Sequence, residues 1–166
     1  MGTAALKERT VLVIEDDAGM REFLKSALAP ERFVVYTADG GKDGVKQALA
    51  LRPDLILLDL CMPGMDGLAV CKALRTDEKT ATIPILIATG TQSTVQIEHS
   101  ILSGADEFVT KPIDTRDLLI RIRAMLQCRD ITDPIERHSR CTEIVREMTA
   151  KPPPPTPPGI QTESPF

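Results

Sequence analysis

Residues 55–59 read Leu-Ile-Leu-Leu-Asp, and this stretch decides the fold. Four consecutive apolar residues predict a strand that is buried on both faces, because a strand with one solvated face alternates apolar and polar residues. The run ends in a carboxylate, Asp59, and the turn-forming residues 62–67 follow. A buried carboxylate is costly unless it is paired, bound to a metal or used in chemistry. The alternative is a structural Asp59 that caps the next helix.

Four more apolar segments predict strands, at residues 10–14, 33–37, 85–88 and 107–109. Between them apolar residues recur at helical spacing, and a last amphipathic helix begins near Asp114. Continuous apolar strands that alternate with helices indicate a parallel sheet covered on both sides. The predicted fold class is therefore α/β: a doubly wound, five-stranded parallel sheet with helices on both faces.

The composition limits the function classes. With 166 residues, 42% of them apolar, the chain can bury a core for one domain and still carry a tail. A net charge of -4 disfavours general binding to nucleic acid or to anionic membranes. The sequence has no signal-peptide pattern and no apolar run of membrane-spanning length, so we expect a cytoplasmic protein. Its four cysteines form no C-x-x-C pair, which disfavours a zinc site.

The chain divides into three segments. Residues 1–128 contain all five predicted strands and are expected to form the first domain. Residues 129–150 are charged and are predicted to be helical from about Pro134. Residues 151–166 hold seven of the 13 prolines, which predicts a proline-rich tail or linker in an extended conformation. A ligand for a proline-recognition domain is the alternative for this segment.

Polar side chains follow four of the predicted strands: Glu15 and Asp16, Asp59, Thr89 and Lys111. In doubly wound sheets the working crevice lies beyond the carboxyl ends of the strands, so we expect these side chains to converge. Carboxylates that share one crevice repel one another unless a cation is present. Oxygen ligands without nearby His or Cys favour Mg²⁺, with Mn²⁺ as a substitute.

A phosphoryl group suits such a crevice. Lys111 offers a positive charge to a phosphate oxygen, and the Thr89 hydroxyl offers a hydrogen bond. A carboxylate beside Mg²⁺ and a lysine can itself attack phosphorus and form an aspartyl phosphate, and Asp59 is the best candidate for that role. The structural alternative for residues 15–17 is an acidic cluster that stabilises the start of a helix.

Four motifs together resemble the receiver domain of bacterial two-component response regulators, over about residues 8–128. They are Val-Leu-Val-Ile-Glu-Asp-Asp at 11–17, Leu-Leu-Asp-Leu-Cys-Met-Pro-Gly-Met-Asp-Gly at 57–67, Pro-Ile-Leu-Ile-Ala-Thr-Gly at 84–90 and Phe-Val-Thr-Lys-Pro at 108–112. The resemblance implies Asp59 as the phosphoacceptor. It also implies a metal site formed by Asp16 directly, Glu15 through water, Asp59, and the backbone carbonyl of Cys61.

The resemblance further implies a conformational switch. Thr89 becomes the switch hydroxyl, Lys111 the phosphate-binding cation and Phe108 the aromatic switch residue, while Lys111-Pro112 matches a cis peptide bond. Asp17 is expected to cap the first helix. The expected output face, formed by the fourth helix, fifth strand and fifth helix, includes Gln92, Val95, Glu98, Arg116 and Arg121. In that family the residues at the positions of Cys61 and Thr91 flank the path of the hydrolytic water, and neither is charged here, which predicts moderate or slow loss of the phosphoryl group.

The expected function is a phosphorylation-dependent signalling switch rather than an enzyme, with residual autophosphorylation from small donors and autodephosphorylation. Its expected partners are a sensor histidine kinase or phosphotransfer protein, and a downstream protein, an output domain or a second copy of the chain. No direct contact with nucleic acid or membrane is expected. Two alternatives remain: the N-terminal receiver part of a larger regulator, and a Mg²⁺-dependent phosphatase with an Asp nucleophile. A phosphatase of this kind requires a second Asp two residues after the nucleophile, and this sequence has Cys61 there.

Overall fold

The computed structural model describes residues 8–90 and 94–150. Its centre is a five-stranded, fully parallel sheet with the strand order β2-β1-β3-β4-β5. The strands are β1 (Thr10–Ile14), β2 (Val34–Ala38), β3 (Leu55–Asp59), β4 (Ile85–Thr89) and β5 (Glu107–Thr110). The predicted fold class is confirmed. Thr91, Gln92 and the proline-rich residues 151–166 lie outside the described residues.

Six α-helices are present in the described part of the chain: α1 (Ala18–Leu28), α2 (Gly41–Leu51), α3 (Gly67–Thr76), α4 (Thr94–Leu102), α5 (Thr115–Gln127) and α6 (Pro134–Thr149). A short 3₁₀ turn, Ala29–Glu31, follows α1 and contains Pro30. The helix predicted from Pro134 is confirmed as α6. Among residues 8–90 and 94–150, no helix has both the length and the apolar content needed to cross a membrane.

Alternate residues of each central strand face opposite sides of the sheet, and both sides are buried. In β3, Leu55 and Leu57 join the core under α1 and α5, whereas Ile56 and Leu58 join the core under α2 and α3. All five residues of β3 are buried, and so are all five of β4. This double burial explains why these strands are apolar throughout.

Aspartates begin four of the helices. Asp17, Asp66, Asp114 and Asp133 each accept a hydrogen bond from the backbone N–H three residues later, over 2.6–2.9 Å. Such caps satisfy amide donors that have no partner within the helix. The predicted cap at Asp17 is therefore confirmed, and the helix-capping alternative for Asp59 does not apply, because Asp66 caps α3.

The α6 helix packs on the same core as α5. Cys141, Ile144 and Val145 are buried in the cluster that contains the inner residues of α5. Arg137 is fully buried, and its Nε atom lies 2.5 Å from Asp106 Oδ1 at the start of β5. The boundary after residue 128 stays a prediction from the sequence, while side-chain packing on this core continues to residue 145.

Candidate functional site

The three predicted carboxylates meet at the carboxyl ends of β1 and β3. Side-chain oxygens of Glu15, Asp16 and Asp59 lie within 4.8 Å of one another. Glu15 and Asp59 are only 2% and 4% exposed, whereas Asp16 is open to solvent. The strand order reverses between these two strands, which is where ligand crevices form in doubly wound sheets.

Lys111 reaches this cluster from the loop after β5. Its Nζ atom lies 2.9 Å from Glu15 Oε2 and 3.4 Å from Asp59 Oδ1. The Lys111-Pro112 peptide bond is cis, in agreement with the expectation from the sequence. The Cys61 backbone N–H donates to Asp59 Oδ1 at 3.3 Å, so this oxygen has a positive charge and an amide donor beside it.

Burial and charge shift two groups of the site. Burial raises the pKa of Glu15, and the hydrogen bond from Lys111 offsets this only in part. Burial alone would lower the pKa of Lys111, but its hydrogen bond to Glu15 and the charges of Asp59 and Glu15 together outweigh burial and raise that pKa. Lys111 is therefore a stable cation, suited to hold an anionic group.

The predicted switch residues lie on the two strands beyond β3. Thr89 is on β4, which pairs with β3, and Phe108 is on β5, one strand further away. Thr89 is fully buried at the end of β4, and its carbonyl accepts a hydrogen bond of 2.7 Å from the Lys111 N–H. Phe108 is partly buried in β5, where it is paired with Ile87 of β4. Lys111 is thus hydrogen-bonded to the backbone of Thr89 and follows Phe108 by three residues in the chain.

Sequence reasoning missed the contacts of three arginines and one histidine. Arg21 Nη1 donates to the carbonyl oxygens of Glu15 and Asp16, at 2.8 and 2.9 Å, and so holds the backbone that carries these two carboxylates. Arg75 and Arg137 both form ion pairs with Asp106, which immediately precedes β5. Asp106 therefore lies at the amino ends of the strands, opposite the acidic cluster. His138 is half-buried, and its Nδ1 atom lies 2.6 Å from the Asp106 carbonyl oxygen.

The donor set fits a hard divalent cation. Glu15, Asp16 and Asp59 offer only carboxylate oxygens, one of them solvent-exposed, and Mg²⁺ prefers one or two carboxylates together with water. No cysteine sulfur belongs to this cluster among the described residues, which argues against a thiophilic metal such as zinc. The chemistry of these donors is therefore that of a Mg²⁺ or Mn²⁺ site.

We expect Mg²⁺ to stabilise the protein through this cluster. A concentration 100 times the dissociation constant adds about 2.7 kcal/mol to the free energy of unfolding. Asp16→Asn is expected to abolish this gain, and the metal-free variant should be at least as stable as wild type because one of three clustered negative charges is gone. Thermal unfolding with and without MgCl₂ measures both effects.

Asp17→Asn is the matched control, since it removes an adjacent charge that is not part of the cluster and Asn caps a helix equally well. An Asp16→Asn protein that responds to Mg²⁺ as wild type does would contradict the assignment of this residue to the metal site.

The four cysteines differ in access. Cys61 is exposed, whereas Cys71, Cys128 and Cys141 are buried. Burial raises the pKa of Cys71 to about 12, and burial together with the neighbouring Cys128 raises that of Cys141.

Iodoacetamide should therefore modify the folded protein at Cys61 alone and the urea-unfolded protein at all four cysteines, as measured by peptide mass mapping. Modification of Cys128 in the folded protein would contradict the close packing of α6 on α5.

Comparison with known proteins gives consistent results. The sequence model of the response regulator receiver domain matches residues 11–123. The DNA-binding dual master transcriptional regulator RpaA of Synechocystis is 38% identical over 129 residues, which cover 78% of this chain and 54% of that protein. The DNA-binding response regulator MtrA of Mycobacterium tuberculosis is 38% identical over 120 residues, which cover 72% of this chain and 51% of MtrA. The chain thus spans about half the length of these relatives.

Solved structures agree with the fold. A response regulator from Chloroflexus aurantiacus superposes with a TM-score of 0.70 at 29% identity, covering 73% of this chain and 99% of that one. The chemotaxis protein CheY4 of Vibrio cholerae gives a TM-score of 0.67 at 28% identity, covering 70% of this chain and 97% of CheY4.

Proposed function

This chain belongs to the response regulator receiver domain family, and on that premise we propose that it is a signalling switch that accepts a phosphoryl group on Asp59. The observation that carries the proposal is the position of Lys111 Nζ, 2.9 Å from Glu15 and 3.4 Å from Asp59, at the mouth of a three-carboxylate cluster. A phosphoryl group on Asp59 would face this cation. The chain itself is proposed not to be an enzyme that turns over a separate substrate.

The proposed chemistry is a displacement at phosphorus. An Asp59 carboxylate oxygen forms a bond to phosphorus, while the bond from phosphorus to a histidine nitrogen, or to the acyl oxygen of acetyl phosphate, breaks and the leaving group keeps its electron pair. Glu15, Asp16, Asp59 and the Cys61 carbonyl would hold Mg²⁺ or Mn²⁺, which when bound neutralises charge on the phosphoryl oxygens. Lys111 binds another phosphoryl oxygen, and Thr89 at the end of β4 donates a hydrogen bond to the phosphoryl group.

The proposed response is a population shift. A phosphoryl group adds close to two negative charges and new acceptor oxygens. Attraction of the Thr89 side chain toward these oxygens would vacate space that the Phe108 ring can enter, and the surface formed by α4, β5 and α5 would change shape. Because Cys61 lies beside the site and is uncharged, we propose that the phosphoryl group is lost at a moderate or slow rate.

The proposed partners follow from the donor and the changed surface. We propose a sensor histidine kinase or phosphotransfer protein as donor, and a protein partner, an output domain or a phosphorylation-dependent second copy of the chain as receiver of the signal.

RpaA and MtrA are named as DNA-binding proteins, and a longer regulator that contains this chain could bind DNA through another part. For the chain itself we propose no nucleic acid contact, supported by its net charge of -4. Free cysteines support a reducing, cytoplasmic location.

The decisive experiment is incubation with acetyl phosphate and Mg²⁺, followed by intact mass and phosphopeptide mapping. Wild type should gain the mass of one phosphoryl group on the peptide that contains Asp59, and Asp59→Asn should gain none. Asp66→Asn is the matched control in the same loop, because Asp66 is exposed and only caps α3. Uptake that is undiminished in Asp59→Asn would overturn the proposed function.

A further inference from the structure

A partly buried ion pair lies beside the Phe108 ring. Arg121 Nη1 is 3.1 Å from Glu107 Oε1, and Arg121 Nε is 3.0 Å from Asp117 Oδ2. The two carboxylates fix the guanidinium from both sides, and the Arg121 side chain is only 22% exposed. Its Cζ atom lies 5.9 Å from the centre of the Phe108 ring, within the range of a cation–π contact.

Glu107 also binds the backbone of Phe108. The Oε1 atom that accepts from Arg121 also accepts the Phe108 backbone N–H at 3.0 Å. Glu107 is buried, and burial raises its pKa, so its carboxylate depends on Arg121 for a counter-charge. Ring and backbone of Phe108 are therefore both held by the Glu107–Arg121 pair.

We propose that Arg121 is a positioning residue for Phe108, whose guanidinium holds the ring in the conformation of the unphosphorylated protein. This inference rests on the proposed function, in which the ring moves inward when Asp59 carries a phosphoryl group. The proposal requires that the inward movement break the contact with the guanidinium, so that the contact favours the unphosphorylated conformation. Arg121 thereby sets how much binding energy the phosphoryl group must supply.

The expected size of the effect follows from the contact. A cation–π contact at a partly exposed site changes an equilibrium by roughly two- to fivefold. A ligand that binds only the activated conformation gains affinity in proportion to the population of that conformation. Loss of the contact should therefore tighten the binding of a phosphoryl analogue by about two- to fivefold.

Arg121→Lys is the informative variant, because lysine retains a positive charge for Glu107 but lacks the planar group that stacks on the ring. The probe is beryllium fluoride with Mg²⁺, titrated while the ring signals of isotope-labelled phenylalanine are recorded by NMR. The chain contains four phenylalanines, so a Phe108→Leu variant identifies the signal of Phe108. Arg121→Lys should bind beryllium fluoride about two- to fivefold more tightly. Its Phe108 signal should already move toward the bound position without ligand.

Arg123→Lys is the matched control, since Arg123 lies on the same helix but pairs with Glu31. It should leave both the affinity and the Phe108 signal at wild-type values. Unchanged affinity and an unchanged Phe108 signal in Arg121→Lys would overturn the positioning role and leave the proposed function intact. Failure of wild type to bind beryllium fluoride would overturn the proposed function, whereas the Phe108 signal of the ligand-free variant would still report on Arg121.

Discussion

Asp106→Asn is expected to lower the free energy of unfolding by about 3–5 kcal/mol, the usual cost of removing one partner from a buried ion pair. Asp106 is fully buried, and its Oδ1 accepts from Arg137 Nε at 2.5 Å. Its Oδ2 accepts from Arg75 Nη2 at 3.0 Å and from the Ile85 N–H at 2.8 Å. Asparagine removes the charge shared by both guanidinium groups and turns an NH₂ donor toward one of them.

Urea unfolding measures this loss. Burial lowers the pKa of Arg75, and the Asp106 carboxylate offsets that effect in part, so the variant leaves a guanidinium with poorer compensation. Glu143→Gln is the control, because the Arg140–Glu143 pair is exposed and such surface pairs contribute little to stability. A loss below about 1 kcal/mol for Asp106→Asn would contradict the role of Asp106 as the counter-charge of both arginines.

The cluster is asymmetric. Arg137→Met should cost less than Asp106→Asn, because Asp106 keeps Arg75 and the Ile85 N–H as partners. Arg137 Nη2 is buried and has no hydrogen-bond partner among the described residues, so its removal also eliminates an uncompensated donor. Methionine can retain much of the apolar packing of the arginine stem. The order of the two variants tests whether Asp106 contributes more to the stability of the cluster than Arg137 does.

The sheet and the candidate site were predictable for the same physical reason. A parallel strand covered on both faces must be apolar throughout, so β1, β3 and β4 are visible as uninterrupted apolar runs. All strands of a parallel sheet end at one edge, so the first polar residue after each run is placed in the shared crevice. Glu15 and Asp59 could be brought together in this way without any knowledge of helix packing.

The boundaries of β2 were less well predicted. The strand was expected at residues 33–37 and is found at Val34–Ala38. It is one of the two edge strands of the sheet, and four of its five residues are partly or fully exposed. Partial exposure weakens the apolar signal that marks the ends of a buried strand.

The role of α6 was not predictable from local pattern. Arg137 and His138 stand in a charged segment, and their partner Asp106 lies 31 and 32 residues away. Charge alone indicates a solvated helix, because arginine is rarely buried unless it is paired. A weaker signal was present: Cys141, Ile144 and Met148 follow Arg137 at helical spacing and outline the face that α6 turns to α5. The pairing itself is a tertiary property.

Gly67→Ala should lower both stability and the rate of phosphoryl uptake by Asp59. A Cβ atom at residue 67 would lie 2.5 Å from the Asp59 carbonyl oxygen and 2.7 Å from Leu60 Cα. Both are backbone atoms, so the overlap cannot be relieved by a side-chain rotation, and the start of α3 must move away from the end of β3. Overpacking of this kind costs about 1–3 kcal/mol, which outweighs the higher helix propensity of alanine.

Urea unfolding and the rate of modification by acetyl phosphate report the two effects separately. Gly40→Ser is the matched control at the start of α2, where an added Cβ has no neighbour within 4 Å and serine can cap the helix. That variant should be at least as stable as wild type and should keep the wild-type rate of uptake. Reduced stability with a wild-type rate in Gly67→Ala would mean that β3 and Lys111 alone hold Asp59 in place. A fall in both stability and rate would mean that the close approach of α3 to the end of β3 also positions Asp59, the proposed phosphoacceptor, since a displacement of its backbone is then enough to slow phosphoryl uptake.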